Sequence, residues 1–353
     1  MLHYRFKQIR RFKTDRIGKL IYSFCLAFAV VILTHQITTA PATSQSEGTS
    51  MVVTTKENNQ IFLLDAETGK RLGSVTTGDR PHEVVVTPDR QLAVASLFGT
   101  GIYGDNPNPN NQLGIIDLTT MQESRFDLGR YQAPHGLAMT DDGLVWVTVE
   151  NNQSVLLVDP KQKQILSEIP VDANAHYIVL SPDGRRAYTS NKEYPFISVI
   201  NTEQRKTLAP ITLPRGAQGI AISPDGTRLY VGDFNQQFLQ VIDLDTQQIV
   251  KQVPLQAQPG WVHVTSDSSK VLISTYDKQN EQGYVEVIAA NTLEPIGVVE
   301  MPTEAFRMDS TSDNRYAFVA LADGSIPKLD LEQLQIIDTF KLDPLAETIV
   351  LLD

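Results

Sequence analysis

The sequence contains one cysteine, two tryptophans and, beyond residue 20, no basic run. Each scarcity excludes a class of chemistry. Cys25 lies in an apolar stretch behind Phe24, where lipoprotein processing wants a small residue, so no lipid anchor is expected there. The rest of the chain has no cysteine at all, which removes disulfides, thiolate metal sites and cysteine nucleophiles. Also missing are a G-x-S-x-G elbow, a P-loop, H-E-x-x-H, a G-x-G-x-x-G opening a helix and a haem-attaching C-x-x-C-H. The formal net charge of −11 is unevenly spread. Arg5, Lys7, Arg10, Arg11, Lys13, Arg16 and Lys19 precede residue 40 against the single acid Asp15, leaving 23 basic and 40 acidic residues for the remainder. A body that acidic repels phosphate backbones, so nucleic acid is not an expected partner. At 41% hydrophobic and 20% charged, the chain has the composition of a packed globular protein rather than a disordered one.

The basic N-terminus leads into Leu20–Leu33 (LIYSFCLAFAVVIL), an uncharged stretch too short to cross a bilayer core of about 30 Å but suited to the h-region of a signal peptide. Ala40-Pro41-Ala42 supplies small residues for cleavage after Ala42. The alternative is an uncleaved anchor extended through Thr34–Ala40, the one route to membrane contact. Either way the expected location is periplasmic or secreted, or held at the membrane by this segment. Residues 43–50 read as a polar linker and 51–353 as one folded unit.

What is abundant is a repeat. An apolar run, Ser/Thr-Pro-Asp-Gly or a relaxed form of it, and a second apolar run recur, as in IVLSPDGRRAYTS at Ile178 and IAISPDGTRLYVG at Ile220. The aligned aspartates are Asp89, Asp142, Asp183, Asp225, Asp267 and Asp313, spaced 53, 41, 42, 42 and 46 residues apart. Pro presets φ, Asp bonds its own backbone and Gly accepts positive φ, so the phrase is a tight turn between short strands of β-branched and aromatic residues. A third strand ends at Asp65, Asp117, Asp159, Asn201, Asp243 or Asp330, and a fourth closes each unit. Four antiparallel strands per roughly 40 residues is the plan of a propeller blade. The segment from Met51 supplies strands two to four only, and ETIVLLD at the C-terminus matches a first strand. The expected fold is therefore all-β, a seven-bladed β-propeller closed by the C-terminal strand joining the N-terminal blade.

GTRLYVGDFNQQFLQVIDLDTQQIV resembles the repeat of the YVTN β-propeller family, which includes YncE-like periplasmic proteins, and the resemblance covers essentially all of 51–353. More distantly the chain is similar to lactonase-like and quinoprotein amine dehydrogenase-like seven-bladed propellers. PHGLAMTDDGLVWVT at Pro134 also resembles virginiamycin lyase-like propellers. Such repeats imply a fold, not an activity.

The segment before strand one and the loop between strands two and three share one face, the mouth of the channel. Just before strand one the blades offer His82, His135, His176, Gln218, Gly260, Phe306 and Ala346, with Glu83, Trp261, Arg307 and Glu347 beside them. The candidate ligand-binding residues at this mouth are His82, His135, His176, Gln218, Trp261, Arg307, Glu347, Glu150, Asn191 and Asp233. Neutral imidazoles near a carboxylate suit a divalent metal, so His82, His135 and His176 are the metal candidates, although Pro-His also serves to cap a strand. His263 lies mid-strand, where packing is its expected role. Phe98–Gln112 is an insertion expected to form an irregular loop, with Asp105, Asn106, Asn108, Asn110 and Asn111 as weak oxygen donors. Glu150, Asn151, Asn191, Lys192, Glu193, Tyr194, Asp233 and Asp323 each read singly as solvated loop residues.

No catalytic residue and no cofactor can be named from motifs. The leading expectation is an exported module that binds a small molecule, glycan or protein at the mouth. The alternative is a metal-dependent hydrolase or lyase of lactonase type with a histidine-containing site there. N-terminal sequencing of the protein recovered from cells is expected to begin at Thr43; a chain that retains Met1–Ala42 would establish the anchor instead.

Overall fold

The computed structural model describes residues 48–353, apart from Tyr103, Phe234, Asp343 and Pro344. The expected leader and most of the expected linker lie outside the described residues. At the linker's end, Thr49 accepts the Ala66 N–H through its carbonyl and Ser50 already opens a strand.

Seven four-stranded antiparallel sheets form a ring. In chain order they are blade one (81–127), blade two (134–170), blade three (178–212), blade four (217–254), blade five (258–301) and blade six (305–341). The seventh is composite: Ala346–Leu352 pairs with Ser50–Thr55, which continues to Gln60–Asp65 and Arg71–Thr76. Closure of this kind leaves no open end of the ring. The one helical piece among the described residues is a single 3-10 turn, Glu150–Asn152.

Inner strands are buried on both faces and outer strands on neither, because each blade is sandwiched between two others near the axis and splays into solvent at the rim. Strand two of the composite blade, Ser50–Thr55, is almost wholly buried, whereas its fourth strand, Arg71–Thr76, is mostly exposed. The core is accordingly divided into seven apolar clusters, each drawing on two adjacent blades, except that the cluster of blades three and four also takes in Trp261 of blade five. Val85, Leu113 and Phe126 of blade one meet Leu137, Val147 and Leu156 of blade two; Met51, Phe62 and Ile349 of the composite blade meet Phe318 and Ile326 of blade six.

The Pro-Asp-Gly phrase forms the turn its chemistry implies, with one addition. The Ser or Thr that opens it donates its hydroxyl to the Asp carboxylate, as from Thr87 to Asp89 at 2.6 Å and Ser181 to Asp183 at 2.6 Å. The Asp then accepts the N–H two residues on, such as Arg185 N at 3.0 Å. The Lys161 ammonium, 2.8 Å from Asp89, lowers that carboxyl most, with its turn bonds adding to the effect, and the turn bonds hold Asp183 below the usual carboxylate range. The residue after Asp takes positive φ in all six turns: Gly143, Gly184 and Gly226, but also Arg90, Ser268 and Asn314.

Phe98–Gln112 is only partly the expected irregular loop. Strand two of blade one runs on through Gly99 and strand three starts at Pro109, so both ends of the insertion extend the hairpin, while the described residues between them form an irregular tip with one isolated bridge, Ile102 to Asp105. Asn106 Nδ2 ties this tip to the Phe98 carbonyl at 2.8 Å. The weak oxygen donors are divided between the tip (Asp105, Asn106 and Asn108) and strand three (Asn110 and Asn111).

Gly184 has φ of +67° and no atom within 4 Å of where a Cβ would sit. Gly184→Ala is therefore expected to cost about 1 kcal/mol through backbone conformation alone. Thermal unfolding measures it, and an unchanged Tm would show that the turn relaxes.

Candidate functional site

In six blades the first strand carries one extra residue near its start. Pro81 pairs with Leu97 and Val84 with Ala95, so His82 and Glu83 share the single opposite residue Ser96. The same bulge places His135 and Gly136 opposite Thr148, Gln218 and Gly219 opposite Gly232, Gly260 and Trp261 opposite Ser274, Phe306 and Arg307 opposite Ala320, and Glu347 and Thr348 opposite Thr54. In blade three His176 and Tyr177 lie against Ser190 just ahead of the strand Ile178–Leu180. Most of these residues thus lie within the strand, not before it as the sequence suggested.

A hydroxyl on strand two secures the bulge in five blades. Ser96, Thr148, Ser190, Ser274 and Thr54 accept the N–H of Glu83, Gly136, Tyr177, Trp261 and Thr348 at 2.8–3.2 Å. A bulge re-aims side chains, and here it creates two layers. The first bulge residues supply His82, His135, His176 and Glu347, which meet at the mouth. The second bulge residues supply Glu83, Tyr177, Trp261 and Arg307, which meet deeper in the channel.

The upper layer is completed from the ends of strand two. Counting two residues past the bulge partner gives Lys56, Phe98, Glu150 and Lys192 in the composite blade and in blades one, two and three. His82, His135, His176, Glu150, Glu347 and Lys56 are all buried, and Lys192 is half-buried. His135 Nε2 lies 2.9 Å from His82 Nε2, and its Nδ1 lies 3.1 Å from the His176 carbonyl and 3.4 Å from Glu150 Oε1. His82 Nδ1 is 3.1 Å from Glu347 Oε1, off the axis of a good hydrogen bond, and Lys56 Nζ reaches the same oxygen at 3.3 Å. Phe98 packs edge-on against His82 with ring centres 5.6 Å apart.

Burial controls the charge states. It holds His82, His135 and His176 well below the ordinary imidazole range, so all three are neutral at physiological pH. It pushes Glu150 up to about 8 against the pull of Lys192 and Lys56, and Lys192 down to about 8 against the pull of Glu150. Glu347 is likewise raised by burial, with Lys56 opposing.

The lower layer spans the channel. The Tyr177 and Trp261 rings are 3.9 Å apart, Arg307 lies 5.6 Å over Trp261, and Arg307 Nη1 binds Glu83 Oε2 at 2.6 Å. Burial raises Glu83 to about 7 even with that partner, because desolvation outweighs the attraction of Arg307. These four residues line a cavity of about 420 Å³ that continues along the inner strands past Leu137, Val179 and Ile222 to His263 and Asp309. His263 borders this cavity and bonds Ser310 Oγ at 2.9 Å, so packing is not its whole role.

The remaining candidates disperse. Gln218 joins Lys192, Gln258, Tyr276, Lys278 and Glu304 around a separate mouth cavity of about 190 Å³. Asn191 and Asp233 are buried, not solvated, and serve their own hairpins. The Asn191 amide donates to Phe196 and Ser198, and Asp233 accepts from Asn235, Gln236 and Gln240. Glu193, Tyr194 and Asp323 are exposed as expected. Lys56, Tyr177 and Phe98 escaped sequence reasoning. The signal available for Lys56 was its alignment with Glu150 and Lys192 two residues after a strand-two hydroxyl.

The architecture and this layered channel define the protein as a seven-bladed β-propeller. No protein-family model and no curated protein matches the chain. Solved structures do. Hydrazine synthase of Kuenenia stuttgartiensis aligns with a TM-score of 0.61 at 19% identity over 71% of this chain and 77% of its own. The dihydro-heme d1 dehydrogenase NirN aligns with a TM-score of 0.60 at 18% identity, over 84% of this chain and 64% of its own. A functionally unknown protein from Desulfotomaculum acetoxidans reaches 0.69 at 13% identity over 86% and 98%. At these identities the likeness concerns the fold.

Removing Arg307 tests the lower layer. Glu83 is raised toward 7, so it is ionised and dependent on Arg307 at pH 8 but already protonated at pH 5. Arg307→Met is expected to cost about 3 kcal/mol at pH 8, as for breaking a buried pair, and about 1 kcal/mol at pH 5. Equal losses in melts at the two pH values would show that the pair carries no charge dependence.

Proposed function

We propose that the protein is an exported, non-catalytic binding module that takes a small zwitterion of amino-acid size at the channel mouth. The observation that carries this reading is the mouth cavity of about 190 Å³, where Lys192 and Lys278 stand with Glu304 and the amides of Gln218 and Gln258. Lysines placed so would receive a carboxylate, and Glu304, raised by burial with Lys278 and Lys192 opposing, would receive an ammonium group. A cavity this small favours a small molecule over a glycan chain or a protein segment. Export rests on the N-terminal leader, and the resemblance to YVTN-repeat propellers supports that setting. The alternative, a metal-dependent hydrolase or lyase, is favoured by one observation, the convergence of His135, His176 and Glu150.

Thermal shift of the purified protein with glycine, alanine or glutamate tests the binding reading. An amino acid present at about a hundred times its Kd is expected to add about 2.7 kcal/mol of stability. Lys192→Met with Lys278→Met is expected to abolish the shift. No response to any of the three, or a response that survives the double variant, would overturn the reading.

A further inference from the structure

We propose that His135, His176 and Glu150 hold a divalent metal ion of the zinc class at the channel mouth, and that His82, backed by Glu347 and Lys56, positions His135 for it. This goes beyond the zwitterion reading, whose cavity is a separate part of the mouth.

One donor atom from each of His135, Glu150 and His176 lies within 4.8 Å of the others, all three residues being buried. Tetrahedral coordination with bonds of about 2.1 Å sets donors about 3.4 Å apart, so side-chain rotations of little more than an ångström would close the set. Two imidazoles and one carboxylate suit Zn²⁺ and Co²⁺ and leave a position open. A second observation points the same way. Glu150 is 3% exposed, and its Oε1 has no hydrogen-bond partner among the described residues. An orphaned carboxylate oxygen in a buried site is costly, and a cation placed between it and the two imidazoles would satisfy it. Glu150 reaches this layer by the register it shares with Lys56, Phe98 and Lys192, two residues past the bulge partner, and it opens the 3-10 turn Glu150–Asn152. The ligand set therefore differs from the three histidines that repeat position suggested: Glu150 enters and His82 moves behind.

His82 has a different task. Two imidazole nitrogens 2.9 Å apart, those of His82 and His135, bond only if one carries the hydrogen. Glu347 Oε1 lies 3.1 Å from His82 Nδ1 and is itself contacted by Lys56 at 3.3 Å. A carboxylate there favours N–H at His82 Nδ1, which makes His82 Nε2 the acceptor and His135 Nε2 the donor. His135 Nδ1 then presents a lone pair toward Glu150, as a metal ligand must. The His176 carbonyl, 3.1 Å from the same Nδ1, favours the opposite tautomer. The Lys56–Glu347–His82 chain is the counterweight that would make His135 a ligand rather than a donor to backbone.

Calorimetric titration of the EDTA-stripped full chain with Zn²⁺ alone, followed by the visible spectrum with Co²⁺, decides the matter. Stoichiometric uptake is expected. Glu150→Gln and His176→Gln are expected to weaken Zn²⁺ binding by about a hundredfold or more. His82→Gln and Glu347→Gln are expected to weaken it by about tenfold, keep the Co²⁺ bands and raise the pH midpoint of uptake, a shift that a merely structural role would not produce. Circular dichroism melts confirm that each variant is folded. Failure of the folded wild type to take up Zn²⁺, or loss that follows His82 rather than Glu150, would overturn the proposal. Amino-acid thermal shifts without Zn²⁺ uptake would sink the metal alone, and Zn²⁺ uptake without any such shift would sink the zwitterion reading alone.

Discussion

The extra residue near the start of the innermost strand, present in six of the seven blades, governs the rest of the channel. A regular strand would point alternate residues toward the axis and give one ring of side chains. The bulge instead turns two consecutive residues inward at different depths, and a strand-two hydroxyl supplies the hydrogen bond that the displaced N–H would otherwise lack. Where that hydroxyl is missing, opposite Gly219 and Arg307, the partner is Gly232 or Ala320. The hydroxyls also tie neighbouring blades together. Thr348 of the composite blade bonds the His82 carbonyl of blade one at 2.9 Å, and Thr148 of blade two bonds the His176 carbonyl of blade three at 2.8 Å. His82 and His176 are thus held through their backbone carbonyls, while the rings of His82 and His135 meet each other at 2.9 Å.

The two layers made by the bulge solve different electrostatic problems. Below, a buried carboxylate and a guanidinium pair directly, with Trp261 against the cation and Tyr177 beside it, so the channel is crossed by groups that satisfy one another. Above, three neutral imidazoles and two carboxylates raised by burial converge with two lysines, and Glu150 keeps an oxygen without a donor. Concentrating so many titratable groups out of water works against stability, and sites of this kind are characteristic of function rather than of packing. The asymmetry follows from which blades carry which residues: the histidines come from blades one to three, and Arg307 and Trp261 come from the far side of the ring.

Much of this was legible along the chain. The turn phrase is a local device, complete within five residues, so its recurrence revealed the blades, their number and the closing strand. The three histidines were visible as equivalents for the same reason. Glu150 was visible as a mouth candidate but not as a buried partner of the histidines: a residue after a strand reads singly as solvated unless its register behind the bulge is known. Asn191 and Asp233 misled for the converse reason, since their bonds to neighbours within a hairpin depend on side-chain rotamers. The insertion in blade one, rich in Asn and Gly, read as irregular, which holds for its tip; composition could not show that its ends, Gly99 and Pro109, pair.

The sequence by itself therefore determined the architecture, because strand alternation, turn chemistry and a fixed period are properties of neighbouring residues. Only the tertiary structure decided what the channel mouth holds. His82 and His135 are 53 positions apart and Lys56 and Glu347 are 291 apart. Ring closure brings the latter pair together, and no local rule carries that distance. The same closure removes water from these groups, which is what makes the histidines neutral, raises the carboxylates and turns a repeat position into a site.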